Sequence, residues 1–240
     1  MKYVAFDLEV GKEVPEGGDW KELFPLGITC ASTVTSDGHM LTWYHGNKGL
    51  WSVPSIGYMS PDEVGELIHY LKTKHDEGYV ILTWNGLSFD FAVLADESNG
   101  QQRLCQNLAM DHVDMMFQIL CQKGYPIGLN AVAEGLGLGG KSEGMSGALA
   151  PVMWKGSVID RLKVLNYVDK DSLLTLEIAI KAAEQKFFEW TSRSGRLNKF
   201  PLWKGWLTVK RCLKMPKPDT SWMDNPMTRE SFLWWMKEDV

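Results

Sequence analysis

Tyr3-Val-Ala-Phe-Asp-Leu-Glu-Val10 is the stretch on which the fold turns. Its pattern has a period of two, so Val4, Phe6, Leu8 and Val10 share one face of a strand and Ala5, Asp7 and Glu9 share the other. A wholly apolar face lines a core. Two neighbouring carboxylates on the opposite face repel each other unless water solvates them or a cation neutralises them. From this pair alone two readings stand open: a solvated edge face, or hard oxygen ligands suited to Mg²⁺ or Mn²⁺.

Outward from this strand, residues 11–25 read as a polar loop. Residues 26–35 and 40–44 read as two strands joined at Ser36-Asp37-Gly38, a turn signal. Ser60-Pro61-Asp62-Glu63 opens a helix with a Ser cap, an early proline and acids near the positive end of the dipole; it runs to about His75. Residues 79–84 form a short apolar strand, and Asn85-Gly86 turns it into a helix over 89–97. Further helices are expected over 111–121 and 129–136, a glycine-rich loop over 135–147 and a long helical stretch over 157–190. Pro151 and the glycines before it argue against a helix start there. Three early strands followed by alternating strand and helix predict an α/β fold, a mixed sheet flanked by helices.

The chain has 240 residues, 45% of them hydrophobic, which suits one large domain, or a domain with an appendage, and rules out wholesale disorder. Its longest apolar runs are four or five residues, such as 91–95, where a bilayer span needs about 20, so no membrane association is expected. Met1-Lys2 leads straight into the first strand without a leader pattern. Cys30, Cys105, Cys121 and Cys212 form no CxxC pair, which fits reduced thiols and a cytoplasmic location. The net charge of −5 divides unevenly. Residues 1–185 carry 14 basic and 24 acidic side chains, residues 186–240 carry 11 and 6, and the latter hold six of the eleven tryptophans. The expected organisation is a main body over 1–190 and a basic, Trp-rich extension over 191–240, packed on or near the core.

Two later segments carry candidate ligands. Asp90 ends Asn85-Gly-Leu-Ser-Phe-Asp90 in the first turn of a helix after a strand; it reads equally as a dipole-stabilising acid beside a Ser88 cap. Ligands of open α/β sheets gather at the carboxyl ends of strands, where Asp90 must lie. In Tyr167-Val-Asp-Lys-Asp171, Tyr167 and Asp171 share a helix face, while Asp169 lies about 200° from Tyr167.

Taken in order, Asp-x-Glu on a first strand, Asn-Gly-x-x-Phe-Asp, then Tyr-x-x-x-Asp on a late helix form a specific pattern. It resembles the DEDD superfamily of 3′–5′ exonucleases, in the subgroup with tyrosine in the third motif, and is similar to the proofreading domain of family-B DNA polymerases. His112-Val-Asp-Met-Met-Phe and Leu136-Gly-Leu-Gly-Gly-Lys141 look like intervening segments of that group. The resemblance implies an RNase H-like fold. It also implies that Asp7, Glu9, Asp90 and Asp171 bind two Mg²⁺ or Mn²⁺ ions, with Tyr167 beside the attacking water and Asn85 and Phe89 at the substrate. The implied substrate is the 3′ end of single-stranded DNA or RNA; no protein partner is inferable. Two ions about 3.5–4 Å apart lower the pKa of water and clamp an in-line displacement. Tyrosine, with a free pKa of about 10, is a poor base and serves better to position that water.

Other signals compete. Gly135 to Ser142 satisfies the phosphate-loop pattern GxxxxGK[ST], but a helical pattern precedes it where a strand is required. Lys141 is instead placed on a loop near a substrate phosphate. Rival functions are a catalytically silent nucleic-acid-binding module and a nucleoside-triphosphatase using that loop. Asp114 reads as a helix cap, with support of the metal site as the alternative. In the extension, Arg196, Lys199, Lys204 and Arg211 are candidates for tracking a phosphate backbone, and Trp203 for stacking a base. The same aromatic residues read equally as pins holding an extended segment on the core, and Trp222, Trp234 and Trp235 fit that packing role better.

Overall fold

The computed structural model describes residues 1–47, 53–139, 144–192 and 195–236. A five-stranded mixed sheet has the order β3-β2-β1-β4-β5. Central strand β1 (Lys2–Val10) pairs antiparallel with β2 (Ile28–Thr35), which pairs antiparallel with β3 (Met40–Tyr44). The β2–β3 turn has Gly38 at φ 93°, a left-handed conformation that glycine adopts without steric cost. On its other side β1 runs parallel to β4 (Tyr79–Thr83), which runs parallel to the two-residue strand β5 (Val113–Asp114).

The alternation in β1 divides the core as expected. Val4, Phe6 and Leu8 pack with Leu67, Ile68 and Leu71 of α1 (Pro61–Asp76) and with Phe91 and Leu94 of α2 (Asp90–Glu97). Tyr3 and Ala5 meet the opposite layer, formed by Val132 and Ala133 of α5 (Leu129–Gly135) and Ile178, Ala179 and Ala182 of α7 (Val158–Gln185). Helix α1 begins with a full capping box: Ser60 Oγ accepts the Glu63 N–H, and the Glu63 carboxylate accepts the Ser60 N–H.

Several expectations need correction. The helix expected over 111–121 is α4 (Met115–Lys123); a further helix, α3 (Gln102–Asp111), precedes it, and β5 separates the two. Asp114 caps α4, accepting the Phe117 N–H at 2.9 Å. Ser88 caps nothing; Phe89 holds the cap position of α2 without a side-chain bond. Pro151 does not prevent a helix, because it falls in the first turn of the short α6 (Ala150–Trp154), where its missing N–H is harmless. The helical stretch over 157–190 ends at Gln185; Lys186 adopts φ 61°, and a hairpin follows, β6 (Phe187–Thr191) with β7 (Leu197–Pro201). The 190/191 boundary therefore falls inside β6.

The extension is built into the fold. Leu202 and Trp206 enter the layer with α7, while Leu207, Val209, Cys212 and Phe232 enter the layer with α1. In between, the chain passes the β5 edge: the N–H of Val209, in the short α8 (Val209–Cys212), donates to His112 O at 2.9 Å, and Gln118 holds the Leu207 N–H at 2.6 Å. This covers what would be an open sheet edge. Buried Arg229 donates to the carbonyls of Cys121, Met215 and Pro216 at 2.7–2.9 Å, tying the last segment down. Among the described residues no helix is long and apolar enough to cross a membrane.

Candidate active site

Asp7 and Glu9 stand on the carboxyl half of β1, opposite Ser32 and Cys30 of β2. A register shift between Glu9 and Val10 bends the strand just beyond them, a device common beside active sites. Since β4 is parallel to β1, the turn leaving β4 emerges at the same end of the sheet. That turn carries Asn85, Phe89 and Asp90.

The turn is fixed by backbone geometry. Asn85 adopts φ 75°, a left-handed conformation that asparagine tolerates better than most residues. Gly86 lies against Thr83 so closely that an added Cβ would sit 2.4 Å from its hydroxyl, which explains the Asn-Gly pair. Asp114, at the end of the neighbouring strand, accepts the N–H groups of Asn85 at 3.1 Å and Leu87 at 3.0 Å besides capping α4. The cap and the support of the site are thus one role. Burial pushes its carboxyl up to about 6, against the pull of these hydrogen bonds. His112 adds a brace: one ring nitrogen meets Thr83 Oγ1 at 3.0 Å and the other Ala109 O at 2.6 Å. Burial lowers its pKa to about 3, so it is neutral at pH 7.

From the other layer, α7 presents Tyr167 and Asp171, both buried. Asp169 points away, as its angular position requires, and accepts the Thr42 hydroxyl of β3 at 2.9 and 3.1 Å.

These elements converge on one cleft of about 510 Å³, lined by Asp7, Glu9, Asp90, Tyr167 and Asp171 together with Asn85 and Phe89. Asp90 is only 2% exposed and accepts the Leu8 N–H at 3.1 Å. Desolvation, and then the charge of Asp7, raise its pKa well above the usual carboxylate range. Five carboxylates line the cavity, the four motif acids and Glu13, which pairs with Lys155; with Lys12 the one cation among the described lining residues, the motif acids are a donor set of hard oxygens that fits divalent cations. Among the described residues no three such side chains already close on a single point. One Asp90 oxygen is turned to the β1 backbone, where it accepts the Leu8 N–H.

The basic residues of the extension do not join this cleft. Arg196, Lys199, Lys204 and Arg211 are exposed elsewhere, and Trp203 is 79% exposed. Trp190 and Trp206 are buried, the latter donating to Ala179 O at 2.9 Å. Lys141 lies outside the described residues, as does part of the Gly135–Ser142 pattern, whose start follows helix α5 and not a strand. Sequence reasoning missed Trp20, Trp84 and Lys12 in the cleft wall. Nothing local marks them; they arrive there through the folding of the 11–25 loop and the end of β4.

Among solved structures, the chain is similar to the family B DNA polymerase from the hyperthermophilic archaeon Pyrobaculum calidifontis, with a TM-score of 0.53 and 21% identity. The match covers 76% of this chain and 24% of the polymerase chain, so it speaks for the fold. Among curated proteins nothing matches. The RNase H superfamily matches residues 54–189, from before α1 into β6. That span includes Asp90, Tyr167 and Asp171 and exceeds half of the sequence: the chain belongs to the RNase H superfamily.

Proposed function

We propose that the protein is a metal-dependent 3′–5′ exonuclease acting on single-stranded nucleic acid. The observation that carries this reading is the convergence of Asp7, Glu9, Asp90 and Asp171, from three separate parts of the sequence, on one cleft with Tyr167 beside them. Membership of the RNase H superfamily and the ordered motifs of the tyrosine-type DEDD exonucleases support the same reaction class. Two divalent ions, when bound, supply a water of lowered pKa and charge relief on the attacking and leaving oxygens of an in-line displacement.

The chain's own residues do the rest. The carboxylates of Asp7, Glu9, Asp90 and Asp171 would provide anionic ligands to divalent ions entering the cleft, Asp90 being the most buried of them, its pKa raised by burial and by the charge of Asp7. An acidic cleft repels phosphate until then, so cation and substrate bind interdependently. The Tyr167 hydroxyl orients the attacking water by hydrogen bonding. Phe89 and Trp20, 5.0 Å apart between ring centroids, give the terminal base an apolar wall. Arg196, Lys199, Lys204 and Arg211, with Trp203, are each exposed and serve to draw the rest of the strand toward an acidic body.

The test is digestion of 5′-labelled single-stranded DNA and RNA with Mg²⁺ or Mn²⁺. Stepwise shortening from the 3′ end, stopped by chelator, is the expected result. Internal cleavage, or shortening from the 5′ end, would overturn the reading.

A further inference from the structure

A second groove, of about 600 Å³, is lined by Phe24, Trp234, Trp235, Lys21, Gln102 and Gln106. We infer that it holds an unpaired nucleotide of the strand whose 3′ end occupies the carboxylate cleft. The inference rests on the exonuclease reading and adds an upstream subsite to it.

The two hollows share a wall two rings thick. Trp20 lines the carboxylate cleft and Trp234 lines the groove. Their rings meet edge to face, 5.5 Å between centroids at 83°. Phe89 closes on Trp20 from the cleft side, and Phe24 packs on Trp234 at 5.5 Å from the groove side. A strand leaving the cleft across this wall finds aromatic faces on both sides of it.

Lys21 sits at the crossing. Its ammonium lies 5.9 Å from the Trp20 centroid and 5.4 Å from that of Trp234. Among the described residues no carboxylate pairs with it. A cation poised between two hollows on an acidic body is suited to a phosphate one step upstream of the scissile one, where the strand crosses from the cleft to the groove.

The groove walls match a base. Gln102 and Gln106, one turn apart on α3, offer carboxamides that both donate and accept, as base edges require. Asp96 also borders the groove; it can accept from exocyclic amino groups but repels phosphate, which leaves the backbone on the Lys21 side. The indoles are preorganised. Trp234 Nε1 donates to Ser88 O at 3.1 Å and Trp235 Nε1 to Leu87 O at 2.7 Å, which moors the groove to the turn bearing Phe89 and Asp90. Fixed aromatic rings lose little entropy on stacking. The volume lies within the range of about 300–1,000 Å³ common to small-ligand sites.

The test compares a dinucleotide, too short to span both hollows, with an octanucleotide. The variant replaces Lys21, Gln102 and Gln106 with Ala; these side chains lie at or near the surface, and none lines the carboxylate cleft. The wild type is expected to favour the octanucleotide in kcat/KM. The variant is expected to lose about tenfold or more on the octanucleotide while staying within about twofold on the dinucleotide. Equal losses on both substrates, or no loss on either, would overturn the subsite. Metal-free affinity for a labelled octanucleotide gives a second readout, expected to fall by a similar factor in the variant. If the wild type hydrolyses neither substrate, the exonuclease reading fails; the affinity comparison then decides the groove by itself, an unchanged affinity overturning it.

Discussion

In the carboxylate cleft Asp90 is 2% exposed, accepts a backbone N–H of β1 and hangs from a turn held by Asp114; on the surface of the extension, Arg196, Lys199, Lys204 and Arg211 stand in water. Even the ion pair of Lys199 with Glu189, at 3.6 Å, joins partly exposed side chains, an arrangement that contributes little. The difference is one of cost. A buried carboxylate beside another carboxylate destabilises the fold, so it persists only where hydrogen bonds, as at Asp114, or a function of the site offset it. An exposed lysine costs almost nothing, so its position carries less information about function. Buried acid in this chain is therefore a stronger signal than exposed base.

Removing a cleft anion tests the expensive side of that contrast and has the largest expected effect. Asp7→Asn and Asp171→Asn should each lower turnover by about 10³-fold or more, since each removes charge stabilisation at the reacting centre. The fold should survive, and without metal the melting temperature should hold or rise as repulsion is relieved. Near wild-type turnover in either variant would break the contrast.

Tyr167 and Asp169 sharpen it within one helix. Tyr167→Phe removes only a hydroxyl and should cost about 10²–10⁴-fold in rate. Asp169 is half-buried and occupied by Thr42, so Asp169→Asn should cost less than about tenfold, an effect on packing alone. Matching losses would mean that the helix faces are misassigned.

Asp114 separates holding the site from being in it. Its two oxygens receive three N–H groups, from Asn85, Leu87 and Phe117. Asn accepts through one oxygen only, so Asp114→Asn leaves a buried donor unmet and should cost about 1–3 kcal/mol in urea unfolding. Wild-type stability would show that the turn is held by Thr83 and Gly86 alone.

The smallest effect belongs to the cheap charges. Replacing Arg196, Lys199, Lys204 and Arg211 with Ala should weaken binding of single strands and reduce the log–log salt slope by up to about 0.7 per lost phosphate contact. An unchanged slope in a folded variant would assign those residues to solubility only.

Much of this was legible in the sequence because it is local. The alternation of 3–10, the Ser36-Asp37-Gly38 turn and the Ser60 capping box each declare themselves within a few residues, and all formed as expected. The motif acids stand out through their order along the chain. What escaped was decided by distant contacts. Helix α3 has no side-chain cap to announce it, and β5 is two residues long, so α3 goes unread and the helix after β5 is expected to begin at 111. The end of α7 turns on Lys186 at positive φ, a conformation that a lysine does not advertise. The wall of Trp20, Phe89 and Trp234 joins residues more than two hundred positions apart, beyond the reach of any local pattern.

The central claim is that Asp7, Glu9, Asp90 and Asp171 act together as a site for divalent cations. Thermal unfolding of the wild type and of Asp171→Asn, each titrated with Mn²⁺, tests it without any substrate. The wild type should gain stability with Mn²⁺, reaching about 2.7 kcal/mol at a hundredfold excess over Kd, and Asp171→Asn should lose most of that gain. A wild type that Mn²⁺ leaves unchanged, or an equal gain in both proteins, would contradict the account.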